Sequence, residues 1–332
     1  MTTQQLTYVI AVADCQSFSK AAEKLYVTQP SLSQYIHSIE KQLGVQLFDR
    51  GMNPIRLTDA GELYVSWARQ ILAMEEQMQN ALSDLMGLQT GSVHIGASPF
   101  RVRCLLARSI AAFHAEFPQI RLDFTEADMR TLRDRLSSGE IEFAIGTGSF
   151  EEKQFHVESL ATERLYLAVS PANPLCEKLP EPLTADDICN ATPKFLRQKP
   201  LDLSLVADEC FVAANAGEYD RESLTAVCRD CGFTPKVEYS VHTIETVFSF
   251  VCANMGISLL PDSLIYYGNF QSHPNYYLLP DAISECSILL ISKRGAYLSK
   301  AASAYALLLK QLIDVGTWRM GGMPFGREGA GQ

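Results

Sequence analysis

Between residues 59 and 88 the apolar side chains Leu63, Trp67, Ile71, Met74, Met78, Leu82 and Leu85 recur at intervals of three and four. That period is helical, and it runs for roughly eight turns, or about 45 Å. A small globule cannot wrap a stripe of that length. The chain therefore divides into an N-terminal head, a long helix and a larger C-terminal body. Its 332 residues leave room for two or three domains. The stripe predicts pairing with a second copy of the chain as a coiled coil. Packing against its own chain is the alternative.

The head, residues 1–58, reads as three helices and a hairpin. Leu6, Val9, Ile10 and Ala13 make an amphipathic helix over 3–14. Ser17 caps a second helix over 18–25, with Ala21, Ala22 and Leu25 inward. The adjacent alanines let a neighbouring helix cross closely. After the turn at Tyr26 and Val27, Thr28 caps a third helix in which Pro30 falls in the tolerant first turn. Leu32, Ile36, Ile39 and Leu43 set its buried stripe, and Gly44 ends it. Two helices joined by a tight turn, the second apolar on one side only, form a helix-turn-helix pattern.

The solvent face of the third helix carries Gln29, Ser31, Ser33, Gln34 and His37 rather than a run of Lys and Glu. Such short hydrogen-bonding side chains suit base edges and phosphates, and discriminate where a lysine-rich face would not. On spacing alone an ordinary solvated helix fits as well. Residues 45–58, VQLFDRGMNPIRLT, then place two apolar patches around the turn-rich GMNP, as a β-hairpin wing does. Arg50 and Arg56 flank it as candidates for phosphate, with Asn53 at its tip for a minor groove.

The elements AAEKL, TQPSLS, LGVQLFDR and LTDAG, ungapped over about 60 residues, resemble the winged helix-turn-helix of LysR-type transcriptional regulators. The resemblance implies double-stranded DNA as a partner. It places Thr28, Gln29, Pro30, Ser31, Ser33, Gln34 and His37 on or at the cap of the recognition helix. His37 stands where such regulators often carry Lys or Arg, which weakens a charge-based phosphate contact near neutral pH. The resemblance also implies a dimerising linker helix over 59–88, a homodimer or homotetramer, and RNA polymerase as a partner if the protein activates.

Beyond Gly87 and Gly91, which bracket a short hinge, strands and helices alternate. SVHIGAS, IRLDFTEA and FAIGTG read as strands around two helices. LYLAVSP, KVEYSV, GISLLP and SILLIS repeat the pattern further on. Such alternation predicts open parallel sheets covered by helices, with ligands bound beyond the strand ends. Two sets, exchanging near residues 161 and 268, predict an α/β body of two subdomains. Subdomain I spans about 91–160 and 268–315, and subdomain II about 161–267. This half, 89–315, resembles the family's effector-binding domain, which is similar to two-lobed periplasmic binding proteins. VCANMGISLLP and GFTPKVEY carry that likeness, and the proline-rich stretch 176–206 departs from it as an insertion.

Strand-end positions supply the pocket candidates: Ser98, Pro99, Phe100, Thr147, Gly148, Asn215, His242 and Thr243. Ser98 opens a helix, where its hydroxyl and free N–H groups can hold a carboxylate. The expected ligand is thus a small effector, with a carboxylate as one candidate, and Ser98 as a plain helix cap is the other reading. Arg101 and Arg103 read as surface residues, although either would strengthen an anion site.

Other chemistry is sparse. The chain carries a net charge of −10, yet residues 1–58 hold five bases against four acids, so an anionic partner meets the head. Cys228 and Cys231 form a lone CxxC in a helical stretch and read as two reduced thiols. No catalytic cluster, cofactor loop or metal-ligand spacing stands out, so no enzyme is expected. No apolar run reaches membrane-span length and the N-terminus lacks the features of a signal peptide, which predicts a cytoplasmic protein without membrane contact. Residues 316–332 hold six Gly and read as a disordered tail. Two rival readings remain at this stage: a cytoplasmic solute-binding or sensor protein without specific DNA binding, and an enzyme on the two-lobed scaffold.

Overall fold

The computed structural model describes residues 2–85, 91–148, 150–215, 217–268 and 270–313. The expected hinge at Gly87, the end of the linker helix, Asp314 and the glycine-rich tail lie outside the described residues.

In the head, α1 (Thr3–Cys15) starts with a reciprocal cap between Thr2 and Gln5. Helix α2 (Phe18–Lys24) is capped by the Ser17 hydroxyl, and α3 (Gln29–Leu43) by that of Thr28. Gly44 ends α3 at φ 71°, a left-handed turn that costs glycine nothing. Leu32, Ile36 and Ile39 are buried against Val9, Val12, Ala21 and Ala22. Leu43, expected to complete the stripe, is 46% exposed because the helix ends there. On α1, Val12 is fully buried while Ile10 and Ala13 are only partly so. Strands β1 (Phe48–Asp49) and β2 (Arg56–Leu57) pair antiparallel, Phe48 opposite Leu57, and make a minimal wing.

Helix α4 (Asp59–Leu85) has two faces with different fates. Gly61, Val65, Ala68, Ala73 and Asn80 are buried against the chain itself. The apolar stripe points away: Trp67 is 58% exposed and Leu85 is 85% exposed. The small-residue face docks on the body through polar contacts at its edges. Asn80 Nδ2 donates to the Ser92 carbonyl at 3.2 Å, and the Lys300 amide donates to Asp84 at 2.8 Å.

The body begins with β3 (Gly91–Ala97), then α5 (Pro99–Arg101), which passes through a π-helical turn at Val102–Leu106 into α6 (Ala107–Glu116). Strand β4 (Ile120–Glu126), α7 (Met129–Ser138) and β5 (Phe143–Gly146) follow. Strand β6 (Phe155–Val169) is 15 residues long and belongs to both lobes. Its first part pairs with β11, its last residues with β9 and β10. The second lobe then runs α8 (Ala185–Cys189), α9 (Pro193–Arg197), β7 (Cys210–Ala214), α10 (Arg221–Asp230), β8 (Lys236–Val241), α11 (Ile244–Cys252), β9 (Ser258–Pro261), α12 (Asp262–Tyr267) and β10 (Asn275–Leu278). The chain returns through α13 (Asp281–Ser284) and β11 (Glu285–Lys293), and α14 (Lys300–Ile313) closes the first lobe.

Two expectations need correction. The sheets are mixed, not parallel: β3 pairs parallel with β4 and β5, and β7 with β8, whereas β6 and β11 run antiparallel to their partners. A chain that leaves one lobe on a strand and returns on its neighbour must reverse direction between them. The return crossing is also later than residue 268, because β10 still pairs with the second-lobe end of β6 and the chain re-enters the first lobe only at Glu285.

The proline-rich stretch 176–206 is folded into the second lobe. Leu183 bridges Tyr276, the Leu201 amide donates to the Leu278 carbonyl at 2.7 Å, and Leu201, Leu203 and Val206 are buried against Phe211 and Tyr277.

Candidate DNA-reading face and interlobe cleft

Helix α3 buries one side and offers the other. Thr28, Gln29, Pro30, Ser31, Gln34 and His37 are exposed, and Ser33 is half-buried on the same side. Tyr35 is drawn inward by an edge-on contact with Tyr8 at 5.1 Å. In the wing, Asn53 and Arg56 are exposed. Arg50 is not a free cation: its Nη2 donates to Glu40 at 2.9 Å, and its guanidinium lies 5.3 Å from the centre of the Phe18 ring.

Glu40, which the apolar spacing of α3 did not single out, is the hub of the head. Its Oε1 accepts from the amides of Leu47 and Phe48, at 2.9 and 3.3 Å, so a buried carboxylate fixes how the wing leaves the helix. Gly61 is required by the same joint, since a Cβ there would overlap the Leu47 carbonyl.

In the body, residues of both lobes meet in the cleft around Arg101. Its Nη1 and Nη2 donate to the two oxygens of Glu163 at 3.0 and 2.6 Å, and its Nε donates to Glu218 Oε2 at 2.7 Å. Nη2 also donates to the Tyr219 hydroxyl at 2.9 Å. The Arg101 side chain is 0% exposed, which corrects the expectation of a surface residue. Burial opposes its charge, but Glu163 and then Glu218 more than offset that and hold it protonated. Burial pushes the Glu218 carboxyl upward, against the pull of Arg101. Arg103 does lie at the surface, 2.5 Å from Glu245.

Glu218 and Tyr219 divide the cleft into two cavities. One of about 260 Å³ is lined by Ser98, Pro99, Phe100, His242 and Thr243 among others. The second, of about 230 Å³, includes Thr147 and Gly148. Asn215 lines neither; it sits at the end of β7, with its amide donating to the Val241 carbonyl. Ser98 is the helix cap of one expectation, and the carboxylate it reaches is the protein's own. Its Oγ accepts from the Arg101 amide as a cap, and its hydroxyl donates to Glu218 at 2.9 Å. Glu163, Glu218 and Tyr219 were missed; a Glu-Arg pair inside the otherwise apolar LATERLYLAV was the available hint.

Burial pushes the Cys228 thiol up to about 12 and raises that of Cys231, so both are poor nucleophiles. Among the described residues no group of His, Cys, Asp and Glu is arranged to hold a metal, and no helix is long and apolar enough to cross a membrane.

Comparison with known proteins settles the lineage. The model of the lysR-family bacterial regulatory helix-turn-helix protein matches residues 3–62, and that of the LysR substrate binding domain matches residues 87–313. The chain belongs to the LysR family. It is a DNA-binding transcriptional regulator with a C-terminal effector-binding domain. Similar proteins include a probable RuBisCO transcriptional regulator of Trieres chinensis, 28% identical over 270 residues, covering 80% of this chain and 82% of that one. The regulator BenM of Acinetobacter baylyi is 27% identical over 286 residues, 86% of this chain and 88% of its own. Among solved structures, full-length CbnR in complex with its target DNA matches with a TM-score of 0.64 at 18% identity, over 94% of this chain and 99% of that one. At that identity the likeness speaks for the fold alone. The rival reading of a solute-binding or sensor protein without specific DNA binding gives way to the match over residues 3–62 together with that over 87–313.

Proposed function

We propose that this LysR-type regulator reads DNA with Thr28, Gln29, Pro30, Ser31, Ser33, Gln34 and His37 of α3, while Asn53 and Arg56 hold the wing on the duplex and Arg50 braces it through Glu40. The observation carrying this is the exposed, uncharged, hydrogen-bonding face of α3 beside a minimal wing. Two copies pair along the unpartnered stripe of α4 and two pairs form a tetramer, so that several heads reach DNA together. The head is nearly neutral, and multiplying its phosphate contacts supplies the affinity that bulk charge does not. A small effector enters the interlobe cleft near Ser98, Pro99, Phe100, Thr147, Gly148, His242 and Thr243 and alters the spacing of the heads. The protein works in the cytoplasm without catalysis of its own, and RNA polymerase is a partner where it activates.

Footprinting the DNA upstream of its own gene tests the reading. Wild type protects an interrupted inverted repeat, and Gln29→Ala/Ser33→Ala loses that protection while keeping its fold by circular dichroism. Equal protection by the double mutant would assign the reading to another face.

A further inference from the structure

The cleft expected to receive a ligand carboxylate already contains one. Glu218 lies on the loop between β7 and α10 in the second lobe, and its side chain is only 1% exposed. Its Oε1 accepts from the Ser98 hydroxyl and its Oε2 from Arg101 Nε, both partners belonging to the first lobe. Gly217, at φ 102°, gives the loop the left-handed turn that precedes it. The next residue, Tyr219, completes the contact through its hydroxyl on Arg101 and an edge-on meeting with Phe100 at 6.3 Å.

The two carboxylates around Arg101 are not equivalent. Glu163 takes the guanidinium fork with two parallel bonds from within β6, a rigid strand. Glu218 takes the remaining edge from a loop. An incoming carboxylate of charge −1 can replace Glu218 one for one, leaving the buried charge unchanged and every donor of Arg101 and Ser98 satisfied. Glu218 then turns toward solvent. A cation offers no such exchange, because no oxygen of the ligand would accept from Ser98 or Arg101 Nε.

We infer that Glu218 is a tethered surrogate ligand, which joins the two lobes through Ser98 and Arg101 and which a monocarboxylate effector must displace to bind. This rests on reading the cleft as the effector site. It adds the mode of entry: the empty cleft is held by an internal carboxylate, and anions lacking further contacts are rejected because the tethered one is always present at high local concentration.

Carboxylate rescue tests this on the full-length protein without DNA. Glu218→Ala leaves Arg101 Nε buried without an acceptor, and the melting temperature should fall by on the order of 10 °C. Sodium acetate should restore at least half of that loss along a saturating curve, while sodium chloride at equal ionic strength does not. Glu218→Gln keeps a weaker, neutral acceptor in place and should respond to acetate less than Glu218→Ala. It carries the test if the alanine variant does not fold. Wild type, with its site filled, should not respond. Absence of an acetate response in either variant that folds, or an equal response in wild type, would overturn the inference. Neither result touches DNA reading, which the footprint measures separately; loss of the footprint would leave the acetate response standing.

Discussion

Arg69 on α4 donates to Glu140, beyond α7, at 2.8 Å, and the same guanidinium pairs with Asp14 of α1. One side chain thus ties the head, the linker helix and the first lobe of the effector-binding domain. Burial works against its charge, and Glu140 and Asp14 more than offset it. A direct polar route thus joins the body to the base of the head within one chain.

Arg69→Ala should remove that tie. Among the described residues it leaves Glu140, which is largely shielded from solvent, with only the Ser138 hydroxyl at 3.0 Å and Arg135 at 4.0 Å as side-chain partners. The expected cost is about 1–3 kcal/mol in urea unfolding. Amide exchange should accelerate along α1 and the middle of α4. Unchanged exchange there would mean that head and body are held together by the small-residue face of α4 alone.

Glu40→Ala should loosen the wing. It leaves the buried amides of Leu47 and Phe48 without acceptors and frees Arg50, at a cost of about 2–3 kcal/mol. Binding to target DNA should weaken although Glu40 itself faces inward. Glu40→Gln keeps one acceptor oxygen and should recover most of the stability, which thermal unfolding of the two variants decides.

The recognition helix predicts two kinds of mutant. Gln34→Ala should cost about 1–3 kcal/mol on the best site and relax preference at one base position. Arg56→Ala should weaken all sequences alike and flatten the logarithmic salt dependence by about one unit per head. Arg50→Ala should change that slope less, since its guanidinium is occupied by Glu40. Binding measured across a salt series separates the three.

The head was legible in the sequence because its logic is local. Caps at Ser17 and Thr28 and the stop at Gly44 each follow from a few adjacent residues and are present. So is the stripe through Leu32, Ile36 and Ile39, whose expected last member Leu43 is exposed at the helix end. The body was legible only in part. The first half of β6, HVESLATE, escaped notice because it is the edge of its sheet there and alternates too little to announce a strand. β7 and β10 are buried runs of five and four residues, too short for periodicity to mark as strands, although Pro274 and Pro280 flank β10 and Asn215 and Gly217 follow β7. Nothing local reveals Arg101, because its partners are 62 and 117 residues away. A charge that reads as surface from its neighbours is internal once three distant segments close on it.

The junction of α4 and β3 should respond to pH. Glu76 accepts from His94 Nε2 at 2.8 Å and from the Ser92 hydroxyl, and the His94 bond chiefly holds its carboxyl down at about 2. For His94, burial alone lowers the pKa, but the bond and charge of Glu76 override it and raise the value above 6.5. A raised histidine contributes stability that is complete below 6.5 and fades as pH climbs through its folded value. A depressed glutamate contributes above 4.5 and loses it as pH falls toward 2. Stability from this pair should therefore peak between about 4.5 and 6.5 and decline as pH rises through the raised value of His94. Denaturation midpoints compared between wild type and His94→Gln should show the variant lacking that decline, and a parallel decline in both would place its origin elsewhere.

The stripe that divides the chain carries the last prediction. Leu63, Trp67, Met74, Met78 and Leu82 are more than half exposed on a helix whose opposite side is already packed. Monomers seldom leave so long an apolar row in water, and covering it with a second copy removes several large side chains from solvent at once. Ile71→Glu/Met74→Glu places two like charges per chain at the middle of that row. Against a partner helix they meet their own copies in a dry interface and cost several kcal/mol; in a free helix they sit in water and cost almost nothing. Analytical ultracentrifugation should therefore show the variant as a smaller species than wild type, with its melting temperature for the body unchanged, and its DNA affinity reduced as the heads separate. A variant that sediments like wild type would move the dimer interface off α4 and leave the row to another partner.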